Sequence, residues 1–267
     1  MTRILPHRLL AVALAASLLG TAAPAAHAQN RPAVEPKVEQ VFRAAAEALG
    51  GAQSMSFTAD VSRDVVLAYG QKIQLSNQRQ VCVMRPGSIR GFNEGDLDRV
   101  DYWLHDGRVT VLDRDRNVFA QLETPDTIDA ALDALALEHG LVMPLADMLV
   151  ADPYGSAIAN VESAGYAGLH KVRGIACHHL VFRQPGLDWQ LWIDAGSEPL
   201  PVRMVITFTD QPHAPQWMAD FHGWDLNPKH ESGMFQFEAP QDAEQIDFDA
   251  FIAGSEAVEA ETAGEAP

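Results

Sequence analysis

The segment Gly174–Arg183, GIACHHLVFR, places one thiol beside two imidazoles, side chains that readily bind transition metals. In a strand, neighbouring side chains point to opposite faces, so Cys177 and His179 share one face and His178 lies on the other. The first two would be about 7 Å apart along the backbone and supply two ligands, whereas zinc takes three or four. No second cluster at metal-ligand spacing follows, and single histidines stand at His105, His170, His213, His222 and His230. We therefore expect a packed, two-faced strand and no metal, with a metal site as the alternative.

The thiol of Cys177 has a second use, a disulfide with Cys82, the other cysteine of the chain. Export to an oxidising compartment and an even number of cysteines both favour a disulfide. Against this, the two predicted strands are far apart in sequence, and a meandering sheet would separate the Cα atoms beyond roughly 7 Å. The sequence leaves a disulfide and two free thiols as alternatives.

A short charged run, DRDRN, imitates the opening of a calcium-binding loop through Asp113, Asp115 and Asn117. The helix-loop-helix version of that loop requires glycine at its sixth position and glutamate at its twelfth. Val118 and Thr124 occupy those positions, so we interpret the run as a charged hairpin turn.

No catalytic motif is present: GxSxG, HExxH, a phosphate loop and a dinucleotide GxGxxG are all missing. Paired carboxylates leave no local signature, and Asp188, Asp194 and Asp225 lie near tryptophans. We interpret these as solvated strand ends. We therefore predict no catalytic residue, no cofactor and no enzymatic activity, with an enzyme of unrecognised site as an alternative.

The first residues have the pattern of an export signal. Arg3 and Arg8 precede an apolar stretch, Leu9–Gly20, that is short for a bilayer span, and Ala26–Ala28 offers small residues for cleavage. We predict a signal peptide over residues 1–28, cleaved near Ala28, and a linker over residues 29–37. No later stretch approaches the roughly 20 apolar residues of a membrane helix. The predicted location is the periplasm, with no transmembrane segment.

The net charge of −17 is unevenly distributed along the chain. After Lys229 there is no Lys or Arg, while ten Asp and Glu residues follow. An acidic protein repels phosphate backbones, so nucleic acid is not an expected partner. The end of the chain is small, acidic and poor in large apolar residues, which predicts a disordered tail over residues 254–267.

The remaining chain alternates between helical and strand periodicities. Val38, Val41, Phe42, Ala45 and Leu49 form one helical stripe that ends at Gly50. Period-2 patterns follow, with hairpin turns predicted at Asp106–Gly107 and around Asp115–Asn117.

A second helical pattern interrupts these strands, with Thr124 as the expected cap and Gly140 as the expected end. Strands then resume as far as Phe237. In one of them the period-2 pattern predicts a single apolar face, formed by Val202, Met204, Ile206 and Phe208. The order of elements predicts an α+β fold, a curved antiparallel sheet with helices covering its concave face, as a single domain over residues 38–253.

Two groups of motifs carry a resemblance to known proteins. VMRPGSIR, followed by YWLHDGRVTVLDRDRNVFAQ and a helix, resembles the central part of the LolA/LolB-like lipoprotein-carrier fold. CHHLVFRQPGLDWQLWID, PLPVRMVITF and APQWMADFHGW resemble a predicted periplasmic family known only as a domain of unknown function, which is grouped with the same fold. The resemblance covers about Val38 to Phe248. It implies a half-open β-barrel with a helical lid and an apolar hollow, and it carries over no catalytic residue.

The inward faces of the predicted strands supply the candidate ligand-binding residues. They are Phe57, Val61, Ile73, Leu75, Val83, Trp189, Leu191, Met204, Ile206 and Phe208. A core filled by these side chains and a ligand cavity between them are both compatible with the pattern, and the resemblance favours the cavity.

The leading hypothesis is a periplasmic binding or carrier protein that holds an apolar ligand, a lipid or a lipoprotein acyl chain, beneath the helices. Each CH₂ group removed from water would contribute about 0.8 kcal/mol to binding. The alternative is an envelope interaction or sensor module with a filled core, whose ligand is a partner protein.

Overall fold

The structure is a computed structural model, and it describes residues 33–141, 145–231 and 233–264, with only the backbone described over 256–263. The predicted signal peptide and residues 29–32 of the predicted linker lie outside the described residues.

Twelve strands form one continuous sheet. They are Ser54–Val66 (β1), Lys72–Met84 (β2), Ser88–Gly95 (β3), Arg99–His105 (β4), Arg108–Asp113 (β5), Val118–Glu123 (β6), Ser163–Val172 (β7), Ile175–Gln184 (β8), Leu187–Asp194 (β9), Pro201–Phe208 (β10), Gln216–Asp225 (β11) and Glu244–Gln245 (β12). Their order across the sheet is β12-β6-β5-β4-β3-β2-β1-β11-β10-β9-β8-β7. Two meanders, β1–β6 and β7–β11, therefore join where β1 pairs with β11, and every pair is antiparallel except β12 with β6.

The sheet is curved and unclosed, because β12 and β7 stand at its two ends and do not pair with each other. The main hydrophobic core joins the inward side chains of the strands to those of the helices, which therefore cover one face. The predicted α+β half-open barrel is confirmed.

Tight turns explain why neighbouring strands pair in sequence order. Asp106 and Gly107 both have positive φ, 47° and 67°, in the β4–β5 hairpin, a conformation that asparagine, aspartate and glycine tolerate best. Asn117, with φ 52°, closes the β5–β6 turn. Both predicted hairpins are confirmed.

Five helices are present in the described residues. They are Pro36–Gly51 (α1), Ile128–His139 (α2), Ala146–Leu149 (α3), Pro153–Ile158 (α4) and Phe248–Gly264 (α5). The α1 stripe predicted from the sequence is buried, and α2 ends at Gly140 in the left-handed conformation. The α2 cap differs from the prediction: Thr127 Oγ1, not Thr124, accepts the Ala130 N–H at 3.3 Å. Thr124 is too early in the chain, because its own N–H still pairs with the β4–β5 turn at Gly107.

The C-terminal segment also differs from its prediction. Helix α5 continues to Gly264, where disorder was expected from Gly254. Asp247 caps it by accepting the Ala250 N–H, and Phe248 and Phe251 are buried in the main core. The following Ala- and Glu-rich sequence has high helix propensity, which an argument from burial alone overlooks.

Candidate functional site

A cavity of about 350 Å³ lies between α1, the α3–α4 segment and strands β8–β10. Its lining is mostly apolar: Phe42, Ala45, Ala46, Leu49, Met148, Pro153, Ala157, Leu187, Trp189, Leu191, Pro201, Met204, Ile206 and Phe208, with Asp147, Ser156, Asn160 and Gln184 as the polar members. The volume falls within the range of small-molecule sites, about 300–1,000 Å³. An apolar hollow of the kind that the family resemblance implied is therefore present on the β8–β10 side of the half-barrel.

The floor of the cavity comes from the alternation of two neighbouring strands. On β10, Met204 pairs with Leu191 of β9 and Ile206 pairs with Trp189. Phe208 continues the same face. These five residues were all predicted as ligand-binding, and all of them line the cavity.

Val202 departs from this pattern. It was expected on the same face as Met204, but it packs in a separate cluster with Val172 and Cys177. The register shifts between Pro201 and Arg203, and a β-bulge of this kind turns the next side chains to the opposite face. Pro201 takes the place in the cavity lining that the alternation assigned to Val202.

The roof of the cavity is built from one large and several small side chains. The Phe42 ring lies edge-on to Trp189, 6.0 Å between centroids, and to Phe182, 5.5 Å. Beside it, Ala45 and Ala46 of α1 present only methyl groups to the strands. Space remains open because these alanines stand opposite long strand residues without filling the gap. Ala45 belongs to the helical stripe that was predicted as core, whereas Ala46 was not part of it; the small size of the two residues was the available sign of a cavity.

The segment 145–160, which contains α3 and α4 and is called the lid here, is held by Arg85. The guanidinium of Arg85 donates hydrogen bonds to the carbonyls of Leu149 at 2.6 Å, Val150 at 3.0 Å and Ala52 at 3.1 Å. These carbonyls belong to the C-terminal ends of α3 and α1, where the helix dipole favours a positive charge. Burial lowers the pKa of Arg85, with Asp129 opposing the shift. The RPG motif thus positions the lid, a role that sequence reasoning missed.

The other five predicted ligand-binding residues lie outside the cavity. Phe57, Val61 and Val83 are buried in the main core, where Phe57 stacks on Trp224 at 4.4 Å. Ile73 and Leu75 are half-buried near the start of β2, and Leu75 borders a polar depression. None of these five residues lines the cavity, which lies under strands of the second meander.

The Cys-His-His segment forms β8 with its side chains divided as predicted. His179 stacks on Trp192, its Nε2 lies 3.0 Å from Gln190 Oε1, and its Nδ1 lies 2.9 Å from His170 Nδ1. On the opposite face, His178 Nδ1 lies 2.9 Å from the hydroxyl of Tyr166. Burial lowers the pKa of both adjacent histidines. Within the described ranges, no group of three or more His, Cys, Asp or Glu side chains is placed to hold a metal ion.

Both cysteines are free thiols. Strand β2, with Cys82, and strand β8, with Cys177, have β1, β11, β10 and β9 between them. At about 4.8 Å per strand spacing the separation far exceeds disulfide reach. Of the two alternatives that the sequence left open, the structure has free thiols, and burial raises the pKa of each.

The acidic residues considered for chemistry serve local structure. Asp113 accepts the N–H groups of Asp115 and Arg116, which makes DRDRN the charged hairpin turn that was predicted. Asp188 pairs with Arg183 at 3.0 Å. Asp194 and Asp225 accept backbone N–H groups two residues further along the chain. These carboxylates therefore lie apart, each with its own partner.

The fold and cavity define a half-open β-barrel with a helical lid over an apolar hollow. The chain belongs to the family described as predicted periplasmic protein DUF2092, whose profile matches residues 38–249. The family predicted from the motifs is confirmed. A search of curated proteins found no sequence match. In the part of the chain that the structure describes, no helix combines the length and apolar character needed to cross a bilayer.

Several solved structures are similar to this one at low sequence identity. The lipoprotein LppX from Mycobacterium tuberculosis is 14% identical with a TM-score of 0.45, over 73% of this chain and 98% of LppX. LprF from Mycobacterium bovis is 14% identical with a TM-score of 0.43, over 79% of this chain and 100% of LprF. The LolA superfamily protein NE2245 from Nitrosomonas europaea is 8% identical with a TM-score of 0.39, over 74% of this chain and 97% of that protein.

Proposed function

We propose that this protein is a periplasmic binding or carrier protein that shields an apolar ligand, a lipid or acyl chain, in the cavity beneath the lid. The observation that carries the proposal is the cavity itself: about 350 Å³ of space bordered by Trp189, Leu191, Met204, Ile206 and Phe208 on one side and α1 on the other. A close-packed protein interior leaves few voids larger than a water molecule, so a cavity of this size requires a reason.

Apolar lining suits a hydrocarbon chain better than a polar metabolite. A chain with about eight buried CH₂ groups would gain about 6 kcal/mol from leaving water, before the costs of association are subtracted. The polar lining residues Asp147, Ser156 and Asn160 are exposed, and Oε1 of the half-buried Gln184 accepts the Trp189 indole N–H, so a hydrocarbon in the cavity would leave the three exposed groups in contact with water. The periplasmic location rests on the predicted signal peptide and agrees with the family description.

The test uses a filled cavity and a matched control on the same helix. Ala46 lines the cavity and is buried, whereas Ala44 lies on the exposed side of α1. Binding of the uncharged fluorescent probe N-phenyl-1-naphthylamine is measured by titration of each purified variant. We expect Ala46→Phe to weaken probe binding at least about tenfold, since the new ring occupies the space, and Ala44→Phe to leave it within about twofold.

Native mass spectrometry of protein purified from the periplasm provides a second readout. We expect a copurifying apolar molecule on the wild type and its loss from Ala46→Phe. A wild-type protein that carries no such molecule and does not bind the probe would refute the proposal.

A further inference from the structure

The polar side chains of the cavity lie at its mouth. Asp147, Ser156 and Asn160 are exposed on the lid, and Gln184 is half-buried at the end of β8. An amphiphile with its chain in the cavity would place its polar end beside these groups. Asp147 is the one charged side chain in the described lining, which contains no Lys, Arg or His.

Several hydrogen-bonding groups at the mouth are already engaged. The Ser156 hydroxyl donates to Asp147 Oδ1 at 2.5 Å, and Gln184 Oε1 accepts the Trp189 indole N–H at 3.1 Å. The Ser156 proton is therefore not available to an anionic headgroup. An arriving carboxylate or phosphate would meet amide donors and a negative charge.

Two guanidinium groups that contact the lid, those of Arg43 and Arg85, have defined partners. Arg43 pairs with Glu39 at 2.9 Å and lies over the Tyr154 ring, 3.8 Å from its centroid. Arg85 donates to the carbonyl groups of α1 and α3. Neither belongs to the cavity lining, so Asp147 has no cationic neighbour within that lining.

The lid itself carries charge of the same sign. Residues 145–160 contain two carboxylates, Asp147 and Asp152, and no Lys or Arg. Charges of one sign around a cleft add to a field that repels like-charged ligands and slows their association.

We infer that the cavity selects amphiphiles by charge, and that its ligand has an apolar chain with an uncharged or positively charged polar end, while anionic amphiphiles are excluded. This inference rests on the proposed function and goes beyond it by naming the ligand class. The apolar lining provides affinity, and the acidic lid with Asp147 at the mouth provides discrimination.

The test compares three ligands with the same ten-carbon chain: decanoate, 1-decanol and decyltrimethylammonium. Each competes with N-phenyl-1-naphthylamine for the wild-type protein at pH 7.5 in about 20 mM salt, below the micelle-forming concentration. We expect decyltrimethylammonium to displace the probe roughly tenfold more effectively than decanoate, with decanol between them. In 1 M salt, where the Debye length is about 3 Å, the difference should shrink to about twofold or less.

Variants locate the source of the discrimination. Asp147→Asn keeps the acceptor for Ser156 and removes the charge, and it should reduce the difference to about threefold; Asp147→Lys should reduce it further or reverse it. Asp106→Asn removes the same charge from the β4–β5 turn, away from the cavity lining, and should keep the tenfold difference. If decanoate competes as well as or better than the cation, the charge inference is wrong although the cavity binds ligands. If the probe itself does not bind to the wild-type protein, the proposed function is wrong, and the charge inference, which rests on it, is wrong as well.

Discussion

Replacement of Arg85 tests whether the lid depends on one half-buried cation. Its guanidinium makes three hydrogen bonds of 3.1 Å or shorter, to Leu149, Val150 and Ala52, and a longer one to Leu49 at 3.4 Å. A net contribution of about 1 kcal/mol for each short bond predicts that Arg85→Ala lowers the free energy of unfolding by about 3 kcal/mol. For a domain of this size that corresponds to a fall of about 6–12 °C in Tm.

The assay combines urea unfolding with amide hydrogen exchange. Because the lost bonds join the ends of α1 and α3, exchange should accelerate first in the lid, before the strands are affected. Arg183→Ala is the matched control, since Arg183 is 67% exposed and pairs with one carboxylate, Asp188. It should change stability by less than about 0.5 kcal/mol. An Arg85→Ala protein with wild-type stability and wild-type lid exchange would refute the assigned role.

Two further predictions concern the β7–β9 region and the thiols. Burial holds the pKa of His178 and His179 below the ordinary value of 6.5. As the pH falls through 6.5, the unfolded chain therefore binds more protons than the folded protein does. The contribution of the two histidines to stability is present above pH 6.5 and is lost at lower pH. The urea midpoint of the wild type should therefore fall between pH 7.5 and 5.0, and it should fall less in His179→Gln; equal slopes would contradict the assignment. A thiol reagent should detect both Cys82 and Cys177 in guanidinium without reductant, and it should react only slowly with the buried Cys177 in the native protein. If no thiol is found after unfolding, the two cysteines form a disulfide.

The strand faces could be predicted because alternation is a local property. Trp189 and Leu191 on β9, and Met204, Ile206 and Phe208 on β10, share a face in any regular strand, and the structure places all five in one cavity lining. Val202 was misplaced because a bulge inserts an extra residue, and the bulge depends on how β10 pairs with β9. A short-range pattern holds only as far as the register is regular.

The capping and tail predictions show the same limit. Thr124 and Thr127 are both acceptable caps in sequence. The choice depends on where the chain after β6 stops hydrogen bonding to the β4–β5 turn. Helix α5 persists beyond Gly254 after Phe248 and Phe251 are anchored against the core, a contact that composition does not reveal.

Local patterns in the chain were sufficient to predict the family, the hairpin turns, the two-sided strands and the apolar residues available for a core. Long-range packing determined where space is left: Phe57, Val61 and Val83 lie in the main core outside the cavity, while Ala45 and Ala46 of α1 leave space over β9 and β10. It also decided that Arg85 holds the lid and that the two thiols lie far apart. The physical reason is that a cavity is the difference between the volume enclosed by packed elements and the volume of their side chains, and the enclosed volume is set by long-range packing.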